Sequence, residues 1–325
     1  MKTLLIIGGS GFFGKSILDS FHRGLLAPWE ITKIVVVSRN PEQLRKECPQ
    51  LISDRVELFS ADITVAKTLP RADIVIHAAA STDAAKYQMQ GVEECRNIEV
   101  GTENFCRLVP QLFPHSQILF VSSGAVYGNQ SPDLDRLSEQ SPMTPIDRMS
   151  KNKRAYAKAK RAAEFTMASL YQQGFNISIV RCFAFVGPWL PRDQHFAIGN
   201  FIANGLRKEP IIVQARHAVY RSYMHADDLV EWLLTIVTSK SSFNSTGSVC
   251  PVYNVGSDQA ILIGDLAALV AEICQVSVSA PALENGHVDR YVPEITAAVR
   301  DLGLQIKIDL RTAVVNTLAA LKERA

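Results

Sequence analysis

Short apolar runs of strand length recur through the first 182 residues, at Leu4–Ile7, Ile34–Val37, Val56–Phe59, Ile74–Ala78, Ile118–Val121 and Ile177–Cys182. Helix-forming stretches lie between them, the longest at Gly14–Leu25, Val92–Leu112 and Arg154–Gln173. Runs that are apolar throughout belong to strands covered on both faces, and strand–helix alternation sets such strands parallel. The segment Arg154–Gln173 is rich in Ala, Lys, Arg and Glu, all strong helix formers. After about residue 185 the rhythm breaks: Pro188, Pro191 and Pro210 punctuate shorter elements, and two more helices are expected at Asp265–Cys274 and Leu310–Lys322. The pattern predicts an α/β protein, with a doubly wound parallel sheet over residues 1–185 and a smaller mixed α/β lobe over 186–325, partly interleaved with the main sheet.

Between the first apolar run and the first helix lies a glycine loop, Gly8, Gly11 and Gly14, enclosing Phe12 and Phe13. Glycines at this place permit a tight turn, close backbone approach to a pyrophosphate and close helix-to-strand packing, and the helix N-terminus adds partial positive charge. A dinucleotide site is therefore expected. Selectivity is read at the end of the second strand, here Val37-Ser38-Arg39-Asn40, and no carboxylate occurs between Ile34 and Pro41 to accept a ribose hydroxyl. Arg39 can pair with a ribose phosphate while Ser38 hydrogen-bonds it, which favours NADP(H). If Arg39 is an ordinary surface cation stacked on adenine, NAD(H) stays open.

Tyr156 and Lys160 lie four apart in a helical segment and so share a face, with Ser123 upstream at the end of a strand. A phenol with a reference pKa of ~10 beside an ammonium is expected to be drawn toward the range where it exchanges protons near neutrality. Ser123, Tyr156 and Lys160 are the candidate catalytic set.

The chain has 325 residues, 47% of them hydrophobic, enough for a large core. Its net charge of +2 gives no reason to expect nucleic acid or an acidic membrane as partner. The six cysteines show no CxxC spacing and suit a reducing compartment. No metal site is expected. Residues 1–7 are too short an apolar run for a signal peptide, and nothing approaches bilayer length, so a cytoplasmic protein is expected.

With the glycine loop, Ser122-Ser123-Gly124-Ala125-Val126-Tyr127-Gly128 and the Tyr156/Lys160 helix in order, the chain resembles the extended short-chain dehydrogenase/reductases, specifically the nucleotide-sugar epimerase/dehydratase family, over nearly its whole length. Further matches are Ala61-Asp62-Ile63, His77-Ala78-Ala79-Ala80, Asn97 with Gly101-Thr102 and Asn104, and Arg181 through Pro188. Arg221 through Asp228 and Tyr253-Asn254-Val255-Gly256 complete them. The resemblance implies a Rossmann fold in which Asp62 and Ile63 contact adenine, Ala78, Ala79 and Ala80 line the cofactor, and Lys160 holds the nicotinamide ribose. It also implies Ser123 bonded to the reacting oxygen, Tyr156 as acid/base and Arg221 gripping the substrate diphosphate. Its partner would be a nucleotide-diphosphate sugar, and relatives suggest a homodimer through Val92–Leu112 and Arg154–Gln173. His77 and Arg181 are expected as packed structural residues, and His225 with Asp227 and Asp228 as a strand-to-helix junction, Asp228 capping the helix around Leu229–Val237. Lys151 through Arg154 reads as a solvated helix start with a possible place at the substrate-phosphate entrance.

Departures narrow the chemistry. Family dehydratases carry an Asp-Glu pair where this chain has Gly124 and Ala125, and many 4-epimerases carry Asn where it has Ala184. The polar stretch from Gly128 to Tyr156 is expected to form a substrate-facing flap. The leading expectation is an NADPH-linked reductase of a 4-keto-6-deoxy nucleotide sugar, of the kind used for surface polysaccharides. The alternative is an NAD-dependent nucleotide-sugar epimerase, which would use the same residues, and a third is a non-catalytic dinucleotide-binding sensor or scaffold. Phe196, Asn200, Arg192, Arg216 and Tyr220 are substrate-lobe candidates by position.

Overall fold

The computed structural model describes residues 1–80, 84–131, 133–192, 194, 196–239, 249–284, 286 and 288–324, with the backbone alone for 84–92, 151 and 152. In chain order the first half runs β1 (Lys2–Ile7), α1 (Phe12–His22), β2 (Ile31–Ser38), α2 (Pro41–Glu47), β3 (Val56–Ser60), β4 (Ile74–His77), α3 (Ala84–Leu112), β5 (Gln117–Ser123), α4 (Lys151–Gln172) and β6 (Ile177–Cys182). The second half runs β7 (Phe185–Val186), α5 (Ala197–Arg207), β8 (Ile211–Ile212), β9 (Ala218–Arg221), β10 (Met224–His225), α6 (Ala226–Thr238) and β11 (Val252–Val255). It continues with β12 (Ile261–Leu262), α7 (Ile263–Cys274), β13 (Val278–Ser279), β14 (Val288–Tyr291), α8 (Thr296–Leu302) and α9 (Leu310–Lys322).

The apolar runs become strands buried on both sides. Because successive side chains point to opposite faces, Leu4 and Ile6 join one core with Ile34, Val36, Ile74 and Ile76, while Leu5 and Ile7 join another with Val35, Val37 and Val75. The first core is covered by α1 and α6, including the fully buried Trp232; the second is covered by α3 and α4 through Phe105, Ala159, Ala163 and Met167. The sheet is parallel throughout, in the order β3–β2–β1–β4–β5–β6–β11. This is the Rossmann order expected. The chain leaves β1 toward β2 on one side and reaches β4 on the other, so a crevice opens beyond the carboxyl ends of β1 and β4. A separate core joins α5, α7 and α9 through Phe201, Ile202, Leu266, Val270, Val314 and Leu318.

Some boundaries differ from those expected. β2 begins at Ile31, which is buried and paired with Lys2, and the exposed Thr32 and Lys33 hide this first turn from an apolar-run reading. α3 begins at Ala84 rather than Val92. The stretch after Gly128 is not a flap over the crevice. Leu137 accepts from Glu294 and donates to Val292 at 2.8 and 2.9 Å, and Arg136 binds the Asp258 carbonyl, so the segment is sewn to the chain following β14 and to that following β11.

At the junction before α6, His225 Nδ1 accepts from the Asp227 backbone N–H and takes the capping role expected of Asp228. Asp228, buried, instead accepts the backbone N–H groups of Lys307 and Ile308 at 3.2 and 3.0 Å. It thus ties α6 to the approach of α9. Asp228→Ala leaves both donors unpaired, with an expected loss of roughly 2–3 kcal/mol, seen as a lower urea midpoint with dinucleotide affinity unchanged.

Candidate active site

The loop after β1 turns at Gly8, whose φ of +83° lies in the left-handed region; a Cβ there would stand 2.7 Å from the Ala79 Cα. The missing side chain lets the loops after β1 and β4 touch across the crevice. At Gly14 a Cβ would meet the Gly9 carbonyl oxygen at 2.0 Å, so helix and loop are in direct backbone contact. Gly11 differs. Its Cβ would meet nothing nearer than 3.5 Å, so the protein's own packing does not demand glycine there. It lines the open cleft as the N-cap of α1, offering no side-chain acceptor, and the first helical turn carries no acid. Backbone N–H groups with a favourable dipole and no competing carboxylate suit a pyrophosphate. Phe12 and Phe13 follow, packed edge-on with centroids 5.7 Å apart.

At the end of β2, Ser38 Oγ lies 3.1 Å from Ser10 Oγ, and Arg39 is exposed, its guanidinium meeting no carboxylate among the described residues. Asp62 Oδ1 accepts the Thr64 N–H and hydroxyl at 2.9 and 2.7 Å, so one of its oxygens is committed to its own turn. The Ile63 carbonyl accepts from Asn104 at 2.8 Å. Ala78 and Ala80 line the cleft, while Ala79 backs onto Gly8. His77, at the end of β4, lies edge-on to Phe105 and Phe120, and burial with the nearby Lys160 pushes its pKa down to about 3. It is a neutral packing residue, as expected.

Ser123 ends β5, and Tyr156 and Lys160 stand on α4, which crosses behind it. A buried network holds the two elements in register. Glu164 accepts from Ser122 Oγ at 2.5 Å and from Arg181 Nη2 at 2.8 Å. Arg181 also donates to the Tyr127 hydroxyl, which donates to Asn254, whose amide reaches the Leu137 carbonyl. Arg181 is the structural anchor expected of it. Ser123 Oγ accepts the Ala125 N–H at 3.2 Å and is hydrogen-bonded to Tyr156.

Lys160 is 2% exposed; its ammonium donates to the Val121 carbonyl at 2.9 Å and sits 5.1 Å over the Phe120 ring. Burial pushes its pKa down to about 8. The expected approach of Tyr156 toward neutrality does not occur. Burial pushes the phenol up to about 12 despite the opposing hydrogen bond from Ser123, because the desolvated phenolate loses more than its surroundings return. Tyr156 therefore holds its proton at neutral pH.

The cleft they share has a volume of about 1480 Å³, larger than the ~300–1,000 Å³ of a site for one drug-sized molecule. It extends from Gly8 and Phe12 past the Ser–Tyr–Lys trio to Phe196, Asn200 and Arg221 in the C-terminal half. Lys153 also lines it, whereas Arg192, Arg216 and Tyr220 do not. Among the described residues no carboxylate lines the cleft, and its cations are Lys153, Lys160 and Arg221. Arg221 is not uncommitted: its Nη2 binds Asp289 at 2.7 Å and its Nη1 binds the Tyr220 carbonyl. Tyr291, which sequence reasoning missed, stands beside Ser123. It comes from β14, which pairs with β9, and no local motif marks it. Among the described residues no three His, Cys, Asp or Glu side chains are grouped to hold a metal ion, and no helix is long and apolar enough to cross a membrane.

A parallel sheet of this order, a glycine cradle at its switch point and a Ser–Tyr–Lys trio define an enzyme of the extended short-chain dehydrogenase/reductase class, which works with a nicotinamide dinucleotide. The chain belongs to the NAD dependent epimerase/dehydratase family, whose model matches residues 4–256. It is 28% identical over 315 residues to UDP-glucuronic acid decarboxylase 3 of Arabidopsis thaliana, covering 95% of this chain and 85% of that one. UDP-glucuronic acid decarboxylase 1 of Xenopus tropicalis is 25% identical over 326 residues, covering 98% and 71%. The solved UDP-glucose 4-epimerase of Thermotoga maritima, with UDP-glucose, shares the fold at a TM-score of 0.79 and 18% identity, with 99% of each chain covered.

Proposed function

We propose that the protein reduces the keto group of a 4-keto-6-deoxy nucleotide-diphosphate sugar, using NADPH. The observation that carries this reading is the make-up of the reacting end of the cleft. Hydroxyls of Ser123 and Tyr156 share the cleft with Ala80, Ala125, Cys182, Phe183 and Ala184, and no acidic side chain among the described residues lines it. Expelling water from a sugar calls for a group that protonates the leaving hydroxyl and another that takes a carbon-bound proton. Reduction calls for one acid, and Tyr156 is protonated where it stands. The apolar wall suits a methyl group at the sugar's sixth carbon better than a hydroxymethyl or a carboxylate, whose polar atoms would be left unpaired.

The bound nicotinamide would supply the hydride. Ser123 donates a hydrogen bond to the reacting oxygen, Tyr156 delivers its proton to that oxygen, and the Lys160 ammonium stabilises the phenolate left behind. Lys153 and the remaining donors of Arg221 would hold the diphosphate. Arg39, exposed and unmatched by a carboxylate among the described residues, would pair with the ribose phosphate of NADP(H). A homodimer through α3 and α4 fits the exposed Phe165, 77% accessible on α4.

A second reading, an NAD-dependent epimerase, is supported by the likeness in fold to the UDP-glucose 4-epimerase of Thermus thermophilus solved with NAD. It uses the same trio but begins with Tyr156 as a base. The two readings part on cofactor exchange. Protein denatured after purification is expected to release little nucleotide, and the refilled enzyme to prefer NADPH over NADH. Arg39→Ala should weaken NADPH binding about tenfold, the effect of one lost charged hydrogen bond, and leave NADH unchanged. Release of stoichiometric NAD that does not exchange would overturn the reductase in favour of the epimerase.

A further inference from the structure

We propose that Tyr291 is a positioning residue for Ser123, fixing the serine hydroxyl as a donor toward the reacting oxygen. The inference rests on the reading of Ser123 as the hydroxyl that faces that oxygen. Tyr291 ends β14 and packs its ring on Phe183, with centroids 4.6 Å apart. Phe183 belongs to a small cluster with Val126, Tyr127 and Leu137, so the ring against which the phenol packs is itself anchored in a core. Its hydroxyl lies 3.4 Å from the Cys182 carbonyl and is hydrogen-bonded to Ser123.

Room for this phenol comes from the residue after Ser123. A Cβ on Gly124 would stand 2.7 Å from the Tyr291 hydroxyl oxygen and 2.8 Å from Phe183 Cζ. The bare position 124 and the phenol are one packing solution: a side chain following Ser123 would exclude the Tyr291 hydroxyl. A group from a distant strand thus occupies space that the local motif leaves vacant.

Counting hydrogen-bond capacity gives the consequence. A serine hydroxyl has one proton and two lone pairs. One lone pair of Ser123 accepts the Ala125 N–H. Tyr291 is pushed above its ordinary pKa by burial, so it keeps its proton and can donate it. The Cys182 carbonyl, 3.4 Å away, lies beyond the usual reach of a hydroxyl donor, which leaves the Tyr291 proton for Ser123. With Tyr291 donating, both Ser123 lone pairs are filled, and its proton is left for Tyr156 in the free protein or for the reacting oxygen of a substrate.

The test uses Tyr291→Phe, which keeps the ring packing and removes the hydroxyl, alone and combined with Ser123→Ala. With a 4-keto-6-deoxy nucleotide sugar, Tyr291→Phe should lower kcat roughly 10–100-fold with KM within about threefold, a loss in the lower range for a misdirected hydrogen bond at the reacting centre. In the Ser123→Ala background the same change should have little further effect. An equal drop in both backgrounds would overturn the proposal, because Tyr291 would then act independently of Ser123. A second readout needs no substrate: in the enzyme with tyrosine isotopically labelled at Cζ, Tyr291→Phe should move the Tyr156 resonance, and should not move it when Ser123 is Ala. If no nucleotide sugar is turned over, the substrate reading fails on its own. The resonance then decides about Tyr291, and an equal shift, or none, in both backgrounds overturns the proposal.

Discussion

Tyr156→Phe is expected to lower turnover about a thousandfold, within the range of a lost general acid, while NADPH binds with nearly unchanged affinity. The ring packs against the core on the α3–α4 side of the sheet, and only the hydroxyl meets Ser123, so a phenylalanine fills the same space. The deleted atom is the one proton source placed to serve the reacting oxygen. Ser123 cannot replace it, since a serine hydroxyl that gave up its proton would become a strongly basic alkoxide. The accompanying sign is in the pH profile. Reduction uses the protonated phenol, so kcat of the native enzyme falls as pH rises through the Tyr156 pKa of the reacting complex, and the variant's residual rate lacks that limb. In the free protein the phenol sits at about 12, so neutral solution leaves it fully protonated. Stopped-flow nicotinamide absorbance separates the chemical step from binding. A variant that kept native turnover would show that Tyr156 is not the acid of the chemical step, whereas a native protein that binds the dinucleotide and turns over no sugar would be the scaffold.

Much of this site is legible in the sequence alone. Strands buried on both faces write themselves as continuous apolar runs, and Leu4–Ile7, Ile118–Val121 and Ile177–Cys182 fall inside β1, β5 and β6. The glycine loop and the Ser123, Tyr156 and Lys160 spacing were readable because each requirement is local: a turn, a helical face, a strand end. What escaped depends on partners far along the chain. Arg221 reads as a free guanidinium until β9 is seen paired with β14, which brings Asp289 against it. Asp228 reads as a helix cap until Lys307 and Ile308 arrive with their bare N–H groups. The polar stretch after Gly128 reads as a flap because nothing in it announces Pro293, to which Leu137 is bridged. The titration of Tyr156 escaped for another reason. Spacing shows that a lysine is near, but the depth of burial, which dominates here, belongs to the packed whole.

Lys160 shows that depth acting on stability. Its folded pKa of about 8 lies below the ordinary value of 10.5, so the folded state disfavours the charged form. Below pH 8 both folded and unfolded chains carry the proton, and the fold bears the whole cost of the buried ammonium, roughly 3 kcal/mol. Between pH 8 and 10.5 the unfolded chain binds more protons than the folded one, so this contribution to stability rises with pH until the cost is gone. Lys160→Met removes the charge and keeps most of the volume, while leaving the Val121 carbonyl unpaired at a cost of about 1 kcal/mol. The variant is therefore expected to be more stable than the native protein by about 2 kcal/mol at pH 7, and the gap to close as pH approaches 10. Urea midpoints of the two proteins across that range measure it, and a gap that stays constant would mean that the ammonium is already solvated in the fold. The same substitution should lower turnover at least a hundredfold, since the Tyr156 phenolate then has no neighbouring cation and keeps only the Ser123 hydrogen bond. NADPH should reverse the stability order, because the native protein alone keeps the cation for the cofactor's ribose and phosphates. A residue whose removal strengthens the empty fold and disables the loaded one is held in place by its chemistry, against the preference of the core around it.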